Sequence, residues 1–281
     1  MKSGIIPAKT KNIRKTLVLS LVLLVVGLGG PNAFALDLMG PPTAGLKKGM
    51  FRVGIEYSYS DTSIELIEGK GVQYQSGETV ASREVESITI SDFETNKMYG
   101  SAGYGLSENS EVFVRLGMVG SEFGDAIFDA NESFDGSTDF TMGGGIKATF
   151  YEGFDLKLGA LVQANWAKYD GVVDIPNLSL NDFAQIDLME MQIAVGAVKM
   201  WSERLTIYGG PFVAFINGDF DLTLNREDEG LLKYNWDINE GPIYGGYIGA
   251  QVKLIKNCYC NLEYQHTSDT DTFGANVMLR Y

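Results

Sequence analysis

Histidine occurs once in this 281-residue chain and cysteine only twice. With Cys258 and Cys260 alone, the chain is no disulfide-stapled secreted scaffold. The pair lies two apart in an extended segment, so both sulfurs point the same way and are poorly placed to bond. Two free thiols or one strained disulfide are expected there. No further Cys and no nearby His completes a metal site around them. Long apolar runs are missing too. Beyond residue 35 nothing approaches the roughly 18 consecutive apolar residues of a spanning helix, which excludes helical membrane spans there.

Acids are absent up to Asp37, whereas the same stretch carries Lys2, Lys9, Lys11, Arg14 and Lys15. A largely apolar run from Leu17 to Leu28 follows and ends at Gly29, Gly30 and Pro31, ahead of Ala33-Phe34-Ala35. A basic start, a short greasy middle and a small-x-small close read as a secretory signal, residues 1–35, cut after Ala35. The run is too short for a membrane anchor, which needs about 20 residues. No Cys lies at the cut to carry a lipid.

Losing five basic residues leaves 17 Lys and Arg against 36 Asp and Glu, a net charge of about −19. Such a chain repels phosphate backbones, so no nucleic-acid partner is expected.

What is present is alternation with a period of two, repeated about ten times. Phe51, Val53, Ile55, Tyr57 and Tyr59 share one face against Arg52, Gly54, Glu56 and Ser58. Phe154 to Trp166, Met189 to Ala197, Leu205 to Phe215 and Tyr244 to Leu254 repeat the pattern, and Phe273, Ala275, Val277, Leu279 and Tyr281 end it. A soluble sandwich also alternates, but three features favour a barrel in lipid. Long connections alternate with tight turns such as Glu152-Gly153 and Ser202-Glu203, as in barrels with short periplasmic turns and long outer loops. The runs exceed the usual soluble length of about 5–6 residues. Aromatics such as Tyr57, Tyr104, Phe150, Trp166, Trp201 and Tyr264 gather at run ends, where amphipathic rings suit the two membrane interfaces. The expectation is an all-β, single antiparallel transmembrane barrel of about ten strands, with eight or twelve left open because 61–92 can hide a further pair. Residues 36–48 are expected as a periplasmic N-terminal segment and 49–281 as the barrel.

The signal, the alternating strands and the aromatic-terminated final strand resemble small Gram-negative outer-membrane barrel proteins. The matching residues of the terminal assembly strand are Phe273, Val277, Leu279 and Tyr281; the class usually ends in Phe, so Tyr281 departs from it. The resemblance implies location in the cell outer membrane, contact with its lipid and lipopolysaccharide, and recognition of the last strand by the barrel-assembly machinery.

Few residues carry chemistry. His266-Thr267-Ser268 is similar to the H-x-S pair of outer-membrane lipid A 3-O-deacylases, which implies His266 as base and Ser268 as nucleophile. A third group must orient the imidazole, and Asp269 and Asp271 are the only later acids. An omptin-like protease shares the strand number, but its Asp-x-His pair is missing because Tyr264 precedes His266 by two. Asp129, Asn131 and Asp135 form an oxygen-rich stretch able to meet a cation; Phe134 and Phe140 stand where an EF-hand needs Gly and Glu, so a solvated loop is expected. Arg52, Glu56, Arg115, Lys147, Glu190, Lys253, Glu263 and Arg280 fall on the inward parity and should pair across a narrow or plugged lumen. No cofactor is called for. The function expected is non-enzymatic: a barrel displaying acidic surface loops (61–92, 121–137, 170–184, 221–236). A narrow passive pore for small solutes and a lipid A deacylase-like esterase are the alternatives.

Overall fold

The computed structural model describes residues 36–124, 133–174, 182–226, 230–268 and 270–281. The expected signal, residues 1–35, lies outside them.

Among the described residues all strands join one antiparallel 12-stranded sheet. In chain order they are β1 (Phe51–Gln75), β2 (Glu78–Val85), β3 (Ile88–Ser107), β4 (Ser110–Gly124), β5 (Ser133–Gly136), β6 (Asp139–Gly153), β7 (Leu156–Asp174), β8 (Phe183–Met200), β9 (Leu205–Arg226), β10 (Gly230–Ile255), β11 (Cys258–Thr267) and β12 (Thr270–Arg280). Neighbours in sequence pair with neighbours in space, and β12 returns to β1 in continuous register from Arg52↔Arg280 to Thr62↔Thr270. The sheet therefore closes on itself. Ten strands make the ring: β1, β3, β4, β6, β7, β8, β9, β10, β11 and β12. Closure leaves no unpaired edge within the ring, which is what a hydrocarbon surrounding demands of a backbone.

One end of the ring carries the tight turns, such as β10 to β11 at Asn257, whose φ of 69° is one an asparagine tolerates. At the other end the strands run on far beyond the expected limits. Much of what the sequence suggested as loops in 61–92, 170–174, 182–184, 221–226 and 230–236 is strand: β1 reaches Gln75, β9 reaches Arg226 and β10 starts at Gly230. The physical reason is a change of parity. On β1, Tyr57 and Tyr59 face outward, but Ile64 and Leu66 are buried inside. On β9, Val213 and Phe215 face out, whereas Phe220, Leu222 and Leu224 are buried. The apolar side passes from the outer wall to the inner one, and alternation counted on a single face stops there.

In this extension β1 leaves β12 and pairs with β10, from Leu66↔Ile238 to Tyr74↔Leu231. β5 fills the space between β4 and β7. The extension is thus ringed by β1, β3, β4, β5, β7, β8, β9 and β10, and a ring of about eight strands has an interior just wide enough for side chains. Those side chains are apolar: Ile64, Phe93, Phe123, Phe134, Tyr169, Phe220 and Trp236 belong to one buried cluster. Phe123 and Phe134 stack at 4.7 Å, and Trp236 lies 5.6 Å from both Phe220 and Tyr234. At about 1.5–3 kcal/mol per buried large apolar side chain, this core can hold the extension together without lipid. β2 pairs only with β1 among the described residues, forming a hairpin that turns at Ser76 and Gly77.

Candidate functional site

Below the apolar cluster the interior has two unlike walls. One is apolar and tyrosine-rich: Leu161 on β7, Ala194 on β8, Tyr208 and Phe212 on β9, Tyr247 on β10. The other is charged: Arg52 and Glu56 on β1, Lys97 on β3, Glu111 and Arg115 on β4, Lys147 on β6, Glu190 on β8 and Glu263 on β11 are all buried. Arg52 pairs with Glu111 at 2.6 Å, Arg115 with Glu56 at 3.0 Å and Lys97 with Glu190 at 2.9 Å. Of the remaining inward-parity candidates, Arg280 is half-buried over the Tyr259 ring at 4.0 Å, and Lys253 is exposed at the mouth.

Between these walls runs the chain's own segment Leu36–Leu46. Residues 36–48 were expected outside the barrel on its periplasmic side. Instead Leu36, Asp37, Leu38, Met39 and Leu46 are buried within it, while Gly45, Lys47 and Lys48 are exposed. The reason is a match of faces. Leu36 and Met39 pack on the apolar wall, while the backbone is read by the polar one. The Met39 and Gly40 amides donate to Glu263 at 2.9 and 2.8 Å, the Ala44 amide to Thr149 at 3.0 Å and the Gly45 amide to Glu111 at 2.8 Å. Lys147 Nζ donates to the carbonyl of Pro41 at 3.0 Å and also to that of Met39. Arg115 reaches the carbonyl of Leu38, and Gln163 and Gln265 that of Asp37. Gly40 takes a φ of +65°, where a side chain is strained, and Gly274 leaves the room that Leu38 fills. Sequence reasoning expected a narrow or plugged lumen but did not assign this segment to it, although a signal was there in the apolar residues Leu36, Leu38 and Met39. Below the plug a cavity of about 300 Å³ opens at the tight-turn end, bordered by Thr43, Lys157, Arg204, Lys253 and Arg280.

The outer wall divides at the same level as the inner one. Across the plugged part it is apolar and exposed: Val53 and Ile55, Val114 and Leu116, Met142 and Ile146, Val195, Ile248 and Leu262. Val195 and Ile248 are not sandwiched between stacked sheets. Aromatics rim this belt on the tight-turn side, with Phe51, Tyr104, Phe150, Trp201 and Tyr281. Tyr57, Trp166, Tyr244, Tyr264 and Phe273 rim it on the other. A greasy band about nine to eleven residues tall between two aromatic girdles, on a closed ring, is a bilayer's complement.

The chain has the fold of a transmembrane β-barrel.

Comparison with solved structures returns barrels of this kind. The translocator domain of the autotransporter NalP from Neisseria meningitidis is 12% identical, with 99% of each chain covered and a TM-score of 0.42. The outer membrane protease OmpT from Escherichia coli is 10% identical over 82% of this chain and 96% of that one, with a TM-score of 0.44. OprG from Pseudomonas aeruginosa is 9% identical over 84% and 98%, with a TM-score of 0.43. Neither a protein-family model nor a curated protein matches the sequence.

On the final strand of the barrel, Phe273, Val277 and Leu279 lie on the outward parity of β12, and Tyr281 follows directly after it. Cys258 and Cys260 are free thiols on the same outer parity of β11, covered by their neighbours. His266 stands just above the upper girdle, 63% exposed on its side chain, with Nδ1 2.7 Å from Asp271 Oδ1. Tyr264 donates to the same oxygen at 2.5 Å. These two hydrogen bonds hold the Asp271 carboxyl below its ordinary range. Ser268, two residues on, is exposed as well. Asp271 begins a row of directly paired acids running round the outer wall: Asp271↔Asp61, Asp61↔Glu94, Glu94↔Glu122 and Glu122↔Asp135. Burial, with the Glu94 and Asp135 charges beside it, pushes the Glu122 carboxyl up. Of the cation candidates, Asp129 and Asn131 lie outside the described residues, and Asp135 sits on β5 in this row. Among the described residues no group of three or more His, Cys, Asp or Glu could hold a metal.

Proposed function

We propose that this barrel is a closed anchor, non-conducting and non-enzymatic, which holds a stiff β-structured extension above the outer membrane for contact with partners at the cell surface. One observation carries the reading: the buried apolar cluster that fills the extension from Ile64 and Phe93 to Trp236. A pore has no use for a core of that kind across its exit, and a binding projection needs one. The narrow-pore alternative meets the same cluster, with the Leu36–Leu46 plug below it. Planar-bilayer recording of the refolded protein tests the reading, and no unitary steps are expected; reproducible steps overturn it. On intact cells, Ser82→Cys in β2 should react with a membrane-impermeant maleimide, against a background set by the covered Cys258 and Cys260.

A second reading is favoured by the His266–Asp271 contact of 2.7 Å. Asp271 supplies the orienting carboxylate that a base at His266 requires, with Ser268 close in sequence and the outer leaflet alongside. The substrate would be an ester of a lipid A acyl chain. Incubation of purified protein with lipopolysaccharide should then release hydroxy-acyl chains, and Ser268→Ala and His266→Asn should each abolish the release.

A further inference from the structure

The charges around the plug are not evenly spread. The buried carboxylates are Asp37, Glu56, Glu111, Glu190 and Glu263; the buried cations are Arg52, Lys97, Arg115 and Lys147, and half-buried Arg280 adds a fifth beside Gly45 and Glu111 at the tight-turn end. Three of these cations have matched partners. Arg52 holds Glu111 and Arg115 holds Glu56. Lys147 binds the carbonyls of Met39 and Pro41 while Glu263 binds the amides of Met39 and Gly40, so this pair offsets across one short stretch of the plug. The deficit falls at the inner end of the plug. There one ammonium, Lys97, lies 2.9 Å from Glu190 and 3.5 Å from Asp37, serving two carboxylates. The other Asp37 oxygen, Oδ1, has no hydrogen-bond partner among the described residues. A net negative charge in a water-poor interior is costly unless a cation meets it.

Leu36 directly precedes Asp37, is itself buried, and its backbone nitrogen donates to Thr272 Oγ1 at 3.3 Å. We propose that the missing cation is the chain's own α-ammonium, created at Leu36 when the signal is cut after Ala35. In the cut, water adds hydroxyl to the Ala35 carbonyl carbon and a proton to the Leu36 nitrogen, breaking the peptide bond between them. The freed amine takes a second proton from solvent. A peptide nitrogen offers one donor and no charge; the ammonium offers three donors and a full charge next to Asp37, which shares Lys97 with Glu190. Processing and closure are thereby linked: the plug is complete only in the matured chain. This rests on the export reading of residues 1–35 and is independent of what the extension binds.

The test uses the matured protein, residues 36–281, in detergent or lipid. Sequencing of the exported chain should begin at Leu36; another first residue overturns the proposal. In the folded barrel an amine-reactive reagent should modify the Leu36 amine at least tenfold more slowly than in the unfolded chain, while Lys48 reacts freely. Transamination of the N-terminus in the unfolded state, which makes it a neutral ketone and leaves lysines intact, should lower the melting temperature after refolding by roughly 5 °C or more. In Asp37→Asn, where Lys97 and Glu190 already balance at the inner end, the same treatment should cost little. Glu190→Gln gives the same comparison should Asp37→Asn fail to refold. Equal labelling in folded and unfolded chains, or equal loss in wild type and charge-balanced variant, overturns the proposal.

Discussion

The carboxylate of Glu263 accepts the backbone amide of Gly40 at 2.8 Å, and its other oxygen takes the next amide back along the chain, that of Met39, at 2.9 Å. Two charge-assisted hydrogen bonds from one buried side chain fix the middle of the plug to β11. Glu263→Gln keeps the shape but turns an acceptor into a donor facing an N–H. It should destabilise the barrel by about 1–3 kcal/mol in chemical unfolding and let protease reach residues 36–46.

Gly274 on β12 leaves the space that Leu38 occupies, and a Cβ there would stand 2.4 Å from Leu38 Cδ2 and 2.6 Å from its Cγ. Gly274→Ala should cost on the order of 1–3 kcal/mol, as overpacking does. Leu38→Ala in the same chain should recover part of that loss. A double-mutant cycle on the two positions reads the coupling directly, and additive costs would count against the contact.

Charge placement on the outer wall separates the belt from the extension. Leu116 faces outward in the belt, so Leu116→Arg should lower stability in lipid by about 2–4 kcal/mol. Asp219 faces outward above the girdle, paired with Asp187 and Asp237. Asp219→Arg should therefore be neutral or mildly stabilising, since like charges directly opposite are unfavourable. Equal penalties for both substitutions would be incompatible with a membrane boundary between them.

The acid row gives stability two opposed pH dependences. Asp271 has its carboxyl pulled down by Tyr264 and His266, so its contribution is present above the unfolded value near 4 and is lost as pH falls through the lower folded value. Glu122 is pushed up, so its charged form is the disfavoured one, and the barrel gains from protonating it as pH falls. Thermal unfolding from pH 7 to pH 3 should show Glu122→Gln more stable than wild type at neutral pH, with the difference closing in acid. Asp271→Asn should flatten the acid limb.

Much of the belt was legible because there each strand has one partner environment on each side. Tyr57, Met191, Leu262 and Tyr264 alternate with polar neighbours, and a period of two between tight turns specifies a two-faced strand. The extension was not legible by the same rule. At Ile64 on β1 and Phe220 on β9 the solvent outside is water rather than lipid, so the apolar parity reverses and the pattern reads as its own end. Asp37, Lys97 and Glu111 show a different limit. Inward parity can be counted from sequence, but the pairing of Lys97 with Asp37 depends on a segment re-entering the ring, and no local pattern encodes that. His266 and Asp271 are five apart across the β11–β12 turn and meet only because the register places them opposite each other.

The left-handed pair Ser76 and Gly77 ends a strand that began at the membrane. From Tyr59 to Gln75 that strand climbs on the order of 40 Å, allowing for tilt. A short epitope or fluorophore-binding peptide spliced into this turn would ride on a stiff mast, displacing no lumen residue.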